Sequence, residues 1–348
     1  MALINFDTFI DRIQDELGGN VTDFSNDILT NKIPEVLPEF SRYSPFLVRE
    51  TIATIDDSKE LDIKDIPNLL WVSELEYKID KTPRQFIKWD EHYRDVLSMD
   101  ITTKPSDVDS SIDTNEAVDI SETGIDVTPT AATAIPVGTV IRIDNELMYV
   151  TVTGTTLTVI RAYGGSVAAT HTTATSIYIP EQAYLYCAKT HRIPAVATIV
   201  GAATADYLAG VVVINVDGLT STGTIEADTT FTITGDSSNT HYRLLKDVVL
   251  SGGAGDFTFT PKLAEAISEN DVVSCDNSTL PERLETLLID LVAARAALSN
   301  PMKLMIQINT GGRRVPITMG EWAERKLALT LRKLEAEARR YQRPVSNQ

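Results

Sequence analysis

Hydrophobic positions recur at helical spacing at both ends of the chain and at alternating spacing through its middle. In "FDTFIDRIQDEL" the apolar residues Phe6, Phe9, Ile10 and Ile13 fall on one helical face, and Gly18-Gly19 ends it. "FSNDILTNKIPEVLPEFSRYSP" predicts a second helix, capped near Ser25 or Asn26, with Ile28, Ile33, Val36, Leu37 and Phe40 on one side. Pro34 and Pro38 lie within it, so a kink or break is expected there. Near the other end, "STLPERLETLLIDLVAARAALSN" carries a stripe through Leu284, Leu287, Leu288, Leu291 and Leu298. Thr279 and Glu282 read as a capping box around Pro281. The last helix, "GEWAERKLALTLRKLEAEARRY", follows a predicted hairpin turning at Gly311-Gly312 and spaces Leu327, Leu331, Leu334, Ala338 and Tyr341 along one face.

Between these ends the period changes from helical to alternating. "FLVRETIATI" reads as extended, and "LLWVSELEYKID" with "QFIKW" predicts a hairpin turning at "KTPR". "VIRIDNELMYVTVTGTTLTVI" places strands on either side of turns at Asp144-Asn145 and Gly154. "QAYLYCAK" reads as a core strand, and a second Thr-, Gly- and Asp-rich stretch repeats the grammar of short strand and polar turn. The expected architecture is α+β: a helical scaffold, made of N- and C-terminal helices with a few core strands, carrying two inserted small all-β modules. The expected boundaries are 1–101 for the N-terminal helices and core hairpin, 102–180 for the first module, and 181–192 for a core strand. The second module follows over 193–277, and the C-terminal helices with a hairpin over 278–348.

Composition narrows the function classes. The chain has 348 residues, 43% of them hydrophobic and 23% charged, as ordinary globular proteins do. No apolar run approaches the roughly 18–20 residues of a membrane span, and the acidic start does not read as a signal peptide, so assembly in the cytosol without a membrane partner is expected. A net charge of −18 argues against general nucleic-acid binding, which needs a basic footprint. From residue 303 onward, however, ten Lys or Arg stand against four Glu. That basic end suits contact between copies or with another acidic partner. Its candidate partner-binding residues are Arg313, Arg314, Trp322, Arg325, Arg332, Lys333, Arg339 and Arg340.

Candidate chemistry is thin. The nucleotide, nucleophile-elbow and zinc-protease signatures are all missing from the sequence. Cys187 and Cys275 read as buried thiols. Cys187 with His191 offers two metal ligands, which do not make a site. "DVDSSIDTNE" from Asp107 to Glu116 has the acid spacing of a calcium loop but lacks its glycine and its final glutamate, so a solvated linker is expected instead. Gly311-Gly312-Arg313-Arg314 suits a cationic hairpin tip better than a phosphate cradle. Asp144 and Glu146 read as ordinary turn residues. No enzyme, cofactor or metal is expected.

Several pieces nevertheless resemble tailed-bacteriophage head–tail connector (adaptor) proteins: "PEFSRYSPFLV" after a helix, "LLWVSELEYKIDKTPRQFIKW", "YLYCAKTHRI" and the closing helical "WAERKLALTLRKLEAEARRY". Glu76-Tyr77, Pro83, Trp89 and Ala188-Lys189-Thr190-His191 carry the likeness. The stretch 141–179 is similar to β-modules of phage structural proteins, with an "LTV-x-R" strand ending at Arg161 and a later "A-A-x-H" ending at His171. The stretch 193–277 is an addition to that pattern. The resemblance implies a structural virion protein at the head–tail junction: a ring, usually of twelve copies, beneath the portal and forming part of the DNA channel. Its implied partners are the portal protein, tail or neck proteins, other copies of itself, and passing genomic DNA bound without sequence specificity. Other expectations for the same pattern are a baseplate, tail-completion or head-decoration protein, or a receptor- or glycan-binding carrier of β-modules.

Overall fold

The computed structural model describes residues 6–19, 22–79, 81–93, 95–131, 134–193, 199–219, 222–275, 278–299 and 315–341. It is mostly β, with 36% strand and 24% helix, and corrects the expectation of a helical scaffold with a few strands. The helical segments dominate the sequence pattern because each is long and strongly periodic. The strands are three to eight residues long for the most part, and their alternation carries less signal per residue.

The chain divides into two compact units. One gathers Met1–Leu47, Ala188–Ile199 and Ser274–Gln348, and the other Val48–Cys187 and Val200–Val273. The first holds α1 (Phe6–Glu16), α2 (Asn26–Tyr43), α3 (Glu282–Ser299) and α4 (Val315–Tyr341), the four α-helices among the described residues. Their core joins Phe9, Ile13, Leu29, Phe40, Leu288 and Leu334. α3 is its centre. Buried residues surround it on most sides, including Leu284, Leu291, Ala293 and Ala297, and the small alanines let neighbouring helices come close.

The break expected in α2 is absent, and the capping box expected at α3 has another role. α2 runs unbroken from Asn26 to Tyr43 with both prolines inside it. Each proline forfeits a backbone hydrogen bond, but burial of Leu29, Ile33, Val36, Leu37 and Phe40 against the core holds the helix together. At the start of α3, the Thr279 hydroxyl does not cap the helix. It accepts the backbone N–H of Arg192 at 2.8 Å and lies 3.0 Å from Nδ1 of His191, tying the residue 191–192 segment to the helix entrance.

The second unit contains most of the β structure. Phe46–Ala53, Gln182–Lys189, Leu69–Glu76 and Phe86–Ile87 neighbour one another in that order in a four-stranded sheet. The predicted hairpin is present, with Leu75 opposite Ile87 and Glu76 opposite Phe86. Gln182–Lys189 buries Ala183, Leu185 and Cys187 on one face and leaves Tyr184 and Tyr186 half-exposed on the other. Glu60–Asp62, Val96–Met99 and Trp89–Tyr93 form a separate three-stranded sheet.

Two closed six-stranded barrels complete the architecture. The first is built from Val108–Thr114, Gly124–Thr128, Val140–Ile143, Glu146–Val152, Thr156–Ile160 and Ser176–Ile179. The second is built from Val200–Ala203, Val213–Asp217, Thr230–Ile233, Tyr242–Leu244, Gly255–Thr260 and Val272–Cys275. Numbered one to six along each chain segment, the strands of both barrels close in the same ring order, 4-5-2-1-6-3. The two also share an isolated bridge outside the strands, Val118 with His171 in the first and Tyr207 with Ile267 in the second. They are one topology built twice. The second adds a two-stranded ribbon, Thr222–Ile225 against Val248–Ser251. Closure leaves neither barrel with a free edge.

Candidate functional site

Of the sequence-derived partner residues, Trp322, Arg325, Arg332 and Lys333 lie on α4 with described side chains. Arg339 and Arg340 fall within α4, but their side chains lie outside the described residues, as do Arg313 and Arg314 altogether. α4 turns Ala323, Thr330 and Leu334 inward to the core. The opposite face presents Arg325, Leu329, Arg332 and Lys333 to solvent, and this periodicity follows from residues three and four apart sharing a helix face. Arg325 reaches Glu321 only at 4.0 Å, and its side chain is 82% exposed. Trp322 is half-buried beside a groove of about 430 Å³ that Asp290 of α3 also lines. Sequence reasoning missed Lys326, which lies between these residues. Its Nζ stands 5.4 Å from the centre of the Trp322 ring, pairs with Asp290 at 2.9 Å and also with Glu16 of α1. Burial lowers the Lys326 pKa, but the two carboxylates outweigh it and raise the pKa above the ordinary lysine value. Lys326 is therefore a structural cation joining three helices, whereas Arg325, Arg332 and Lys333 remain available at the surface.

The buried charges of the first barrel form a separate network. Glu146, read as a turn residue, is fully enclosed. Arg161 grips it with both ends of its guanidinium, Nε to Oε1 at 2.7 Å and Nη2 to Oε2 at 2.8 Å. The backbone N–H groups of Ala162 and Ala169 donate to it at 3.0 and 2.9 Å. His171 places Nε2 3.0 Å from Glu146 and Nδ1 2.8 Å from Asp144. Burial works against the ionised form, but the Arg161 hydrogen bond, the two backbone donors and His171 prevail and hold the Glu146 carboxyl at about 2. Arg161 also donates to the carbonyls of Asp119, Glu122 and Ala169. These groups bond to one another, so the network clamps the residue 161–171 loop, with the Asp144 side chain at its exposed edge. The "LTV-x-R" and "A-A-x-H" signatures thus have a structural meaning, since both terminal residues bind Glu146.

A cavity of about 970 Å³ lies within the second unit along residues 50–56 and the first barrel's residues 160–166. Arg243 crosses it to Glu50 at 2.7 Å and Asp228 at 2.5 Å. Tyr163 stacks on Tyr149 with ring centres 5.1 Å apart, and burial raises the Tyr163 pKa to about 12. Three of the cations in its walls are committed to carboxylate partners, Arg142 to Asp107, Arg161 to Glu146, and Arg243 to Glu50 and Asp228, and Lys246 also lines it.

The remaining candidates resolve into structure. Residues 108–114 form a barrel strand and not a linker, and the Asp107 carboxylate pairs with Arg142. Cys187 and Cys275 are buried free thiols. His191 is packed between Phe40 and Phe46, and burial lowers its pKa to about 4. Among the described residues no three His, Cys, Asp or Glu side chains come together as metal ligands. No helix among them is long and apolar enough to cross a membrane. No family model, curated protein or solved structure matches this chain.

Proposed function

We propose that this chain is a structural virion protein, a head–tail adaptor whose copies form a ring beneath the portal and part of the DNA channel in the neck. The supporting observation is the solvent-exposed basic face of α4, with Arg325 fully presented, on a chain of net charge −18. Such a face suits protein–protein contact with an acidic surface. The fate of the buried charges points the same way, because they act as clamps and bridges and not as reactive groups. An acidic channel wall would let DNA pass without the counterion release that makes binding sticky.

A glycan- or receptor-binding role would call for aromatic side chains presented on a barrel surface. The second barrel instead buries Phe231, Tyr242, Phe257 and Phe259 in one interior cluster. Most of the aromatic content of that barrel is thus interior packing, with Tyr207 half-buried and its hydroxyl accepting the Asn215 backbone N–H, and this favours the adaptor reading. Immunogold electron microscopy of phage particles that incorporate this chain separates the readings. Label at the head–tail junction is the expected result. Label at the tail tip or over the capsid surface overturns it in favour of a baseplate, receptor-binding or decoration role.

A further inference from the structure

α1 carries a charge pattern that no described residue answers. Phe6, Phe9, Ile10 and Ile13 are buried, which turns Asp7, Asp11 and Asp15 outward in a row at i, i+4 and i+8. Like charges at this spacing repel each other along a helix. The last turn holds no basic residue, so Asp15 also opposes the negative end of the helix dipole. The neighbouring Glu16 has Lys326 as its partner, but Asp7, Asp11 and Asp15 form no ion pair with any described residue.

α4 presents the complementary row. Arg325, Leu329 and Lys333 share the same i, i+4, i+8 spacing, with Arg332 beside them. Leu329 is 57% exposed in the middle of this row, next to the groove that holds Trp322. At 1.5 Å per residue, each row is about 12 Å long. The rows match in length and spacing, and the ends of the α4 row, Arg325 (which reaches Glu321 of its own helix at 4.0 Å) and Lys333, are opposite in sign to Asp7 and Asp15, with Leu329 between them. Aromatic and arginine side chains beside a groove are also the composition that dominates binding energy at protein interfaces.

We infer that the basic face of α4 in one copy docks on the acidic row of α1 in the next copy. The surfaces used by the two copies differ, so the contact is heterologous and repeats head to tail, closing into a ring if its rotation permits. The inference deepens the ring reading and rests on it for that closure.

The test is sedimentation velocity of the full chain over a range of concentrations and salt, with two charge-reversed variants, R325E/K333E and D7K/D15K. All four positions are exposed, and circular dichroism confirms that each variant is folded. The expected result is self-association of the wild-type chain that weakens as added salt shortens the Debye length from about 10 Å at 0.1 M toward about 3 Å at 1 M. Each variant alone should associate more than about tenfold more weakly. Mixing the two should restore association, because the reversed rows complement each other. Association unchanged in both variants, or a wild-type chain that stays monomeric throughout, overturns the α1–α4 contact. In the first case the ring reading survives through another surface. Only failure to join the portal together with absence from the neck would remove that reading as well.

Discussion

Glu146 illustrates how one carboxylate can organise a loop and look unremarkable in sequence. It sits one residue beyond a two-residue turn, where polar side chains are ordinary, and its partners lie 15 to 25 positions away. Arg161 and His171 are legible as a spaced signature, but the object they surround is not, because spacing along the chain does not report which strand lies opposite. In the second barrel Asp236 plays a similar part. Buried and held below the usual carboxylate range against the opposing effect of burial, it accepts hydrogen bonds from Ser238, Thr240 and Tyr242. The Tyr242 hydroxyl in turn accepts the backbone N–H of Ala264 at 3.0 Å. Replacing Arg161 with Met should cost about 3–5 kcal/mol, because it strands a buried carboxylate, and urea denaturation measures that loss. The pH dependence has a definite sign. The folded pKa of Glu146 lies near 2 and its ordinary value is 4.5, so the unfolded chain takes up the proton first as acid is added. The stabilisation is complete above about pH 4.5 and is lost as the pH falls toward about 2. R161M should flatten that portion of the stability curve, and an unchanged acid slope would remove Glu146 from the account.

At the scale of elements, periodicity located the helices well and their terminal details poorly. The inward face of α1 and the Leu327, Leu331 and Leu334 stripe of α4 are found where the 3.6-residue period puts them. The prolines of α2 misled because propensity describes an isolated helix, whereas packing decides this one. The Thr279 capping box misled because a tertiary partner, the residue 191–192 backbone, takes the hydroxyl. The two faces of the helical unit respond differently to truncation. Leu288→Ala removes a fully buried side chain at the centre of α3 and should cost about 2–5 kcal/mol. Leu329→Ala lies on the exposed face of α4 and should change stability by no more than about 0.5 kcal/mol. Thermal and urea unfolding followed by the helical circular dichroism signal compare the two. A costly Leu329→Ala would mean that this face packs inside the subunit and is not free for a neighbour.

At the scale of the whole molecule, the alternating text and its turns announced β structure, but not its predominance or its closure. Barrel closure depends on pairings between strands far apart in sequence, such as Ser176–Ile179 with both Val108–Thr114 and Val140–Ile143, and no local pattern encodes them. The recurrence of one ring order in two stretches of little shared residue identity was hidden for the same reason. What it provides is a pair of compact, edge-free bodies, the first holding the Glu146 clamp, together with a helix face suited to a partner. That combination suits the proposed role as a component of an assembly, and the mass in solution tests that proposal most directly. Light scattering should be recorded for the purified chain alone and then mixed with purified portal rings of the tailed phage whose particles are proposed to incorporate it. The expected result is a complex that contains many copies of the 38.2 kDa chain on each portal ring. A chain that remains at 38.2 kDa and leaves the portal ring unaltered in mass contradicts it.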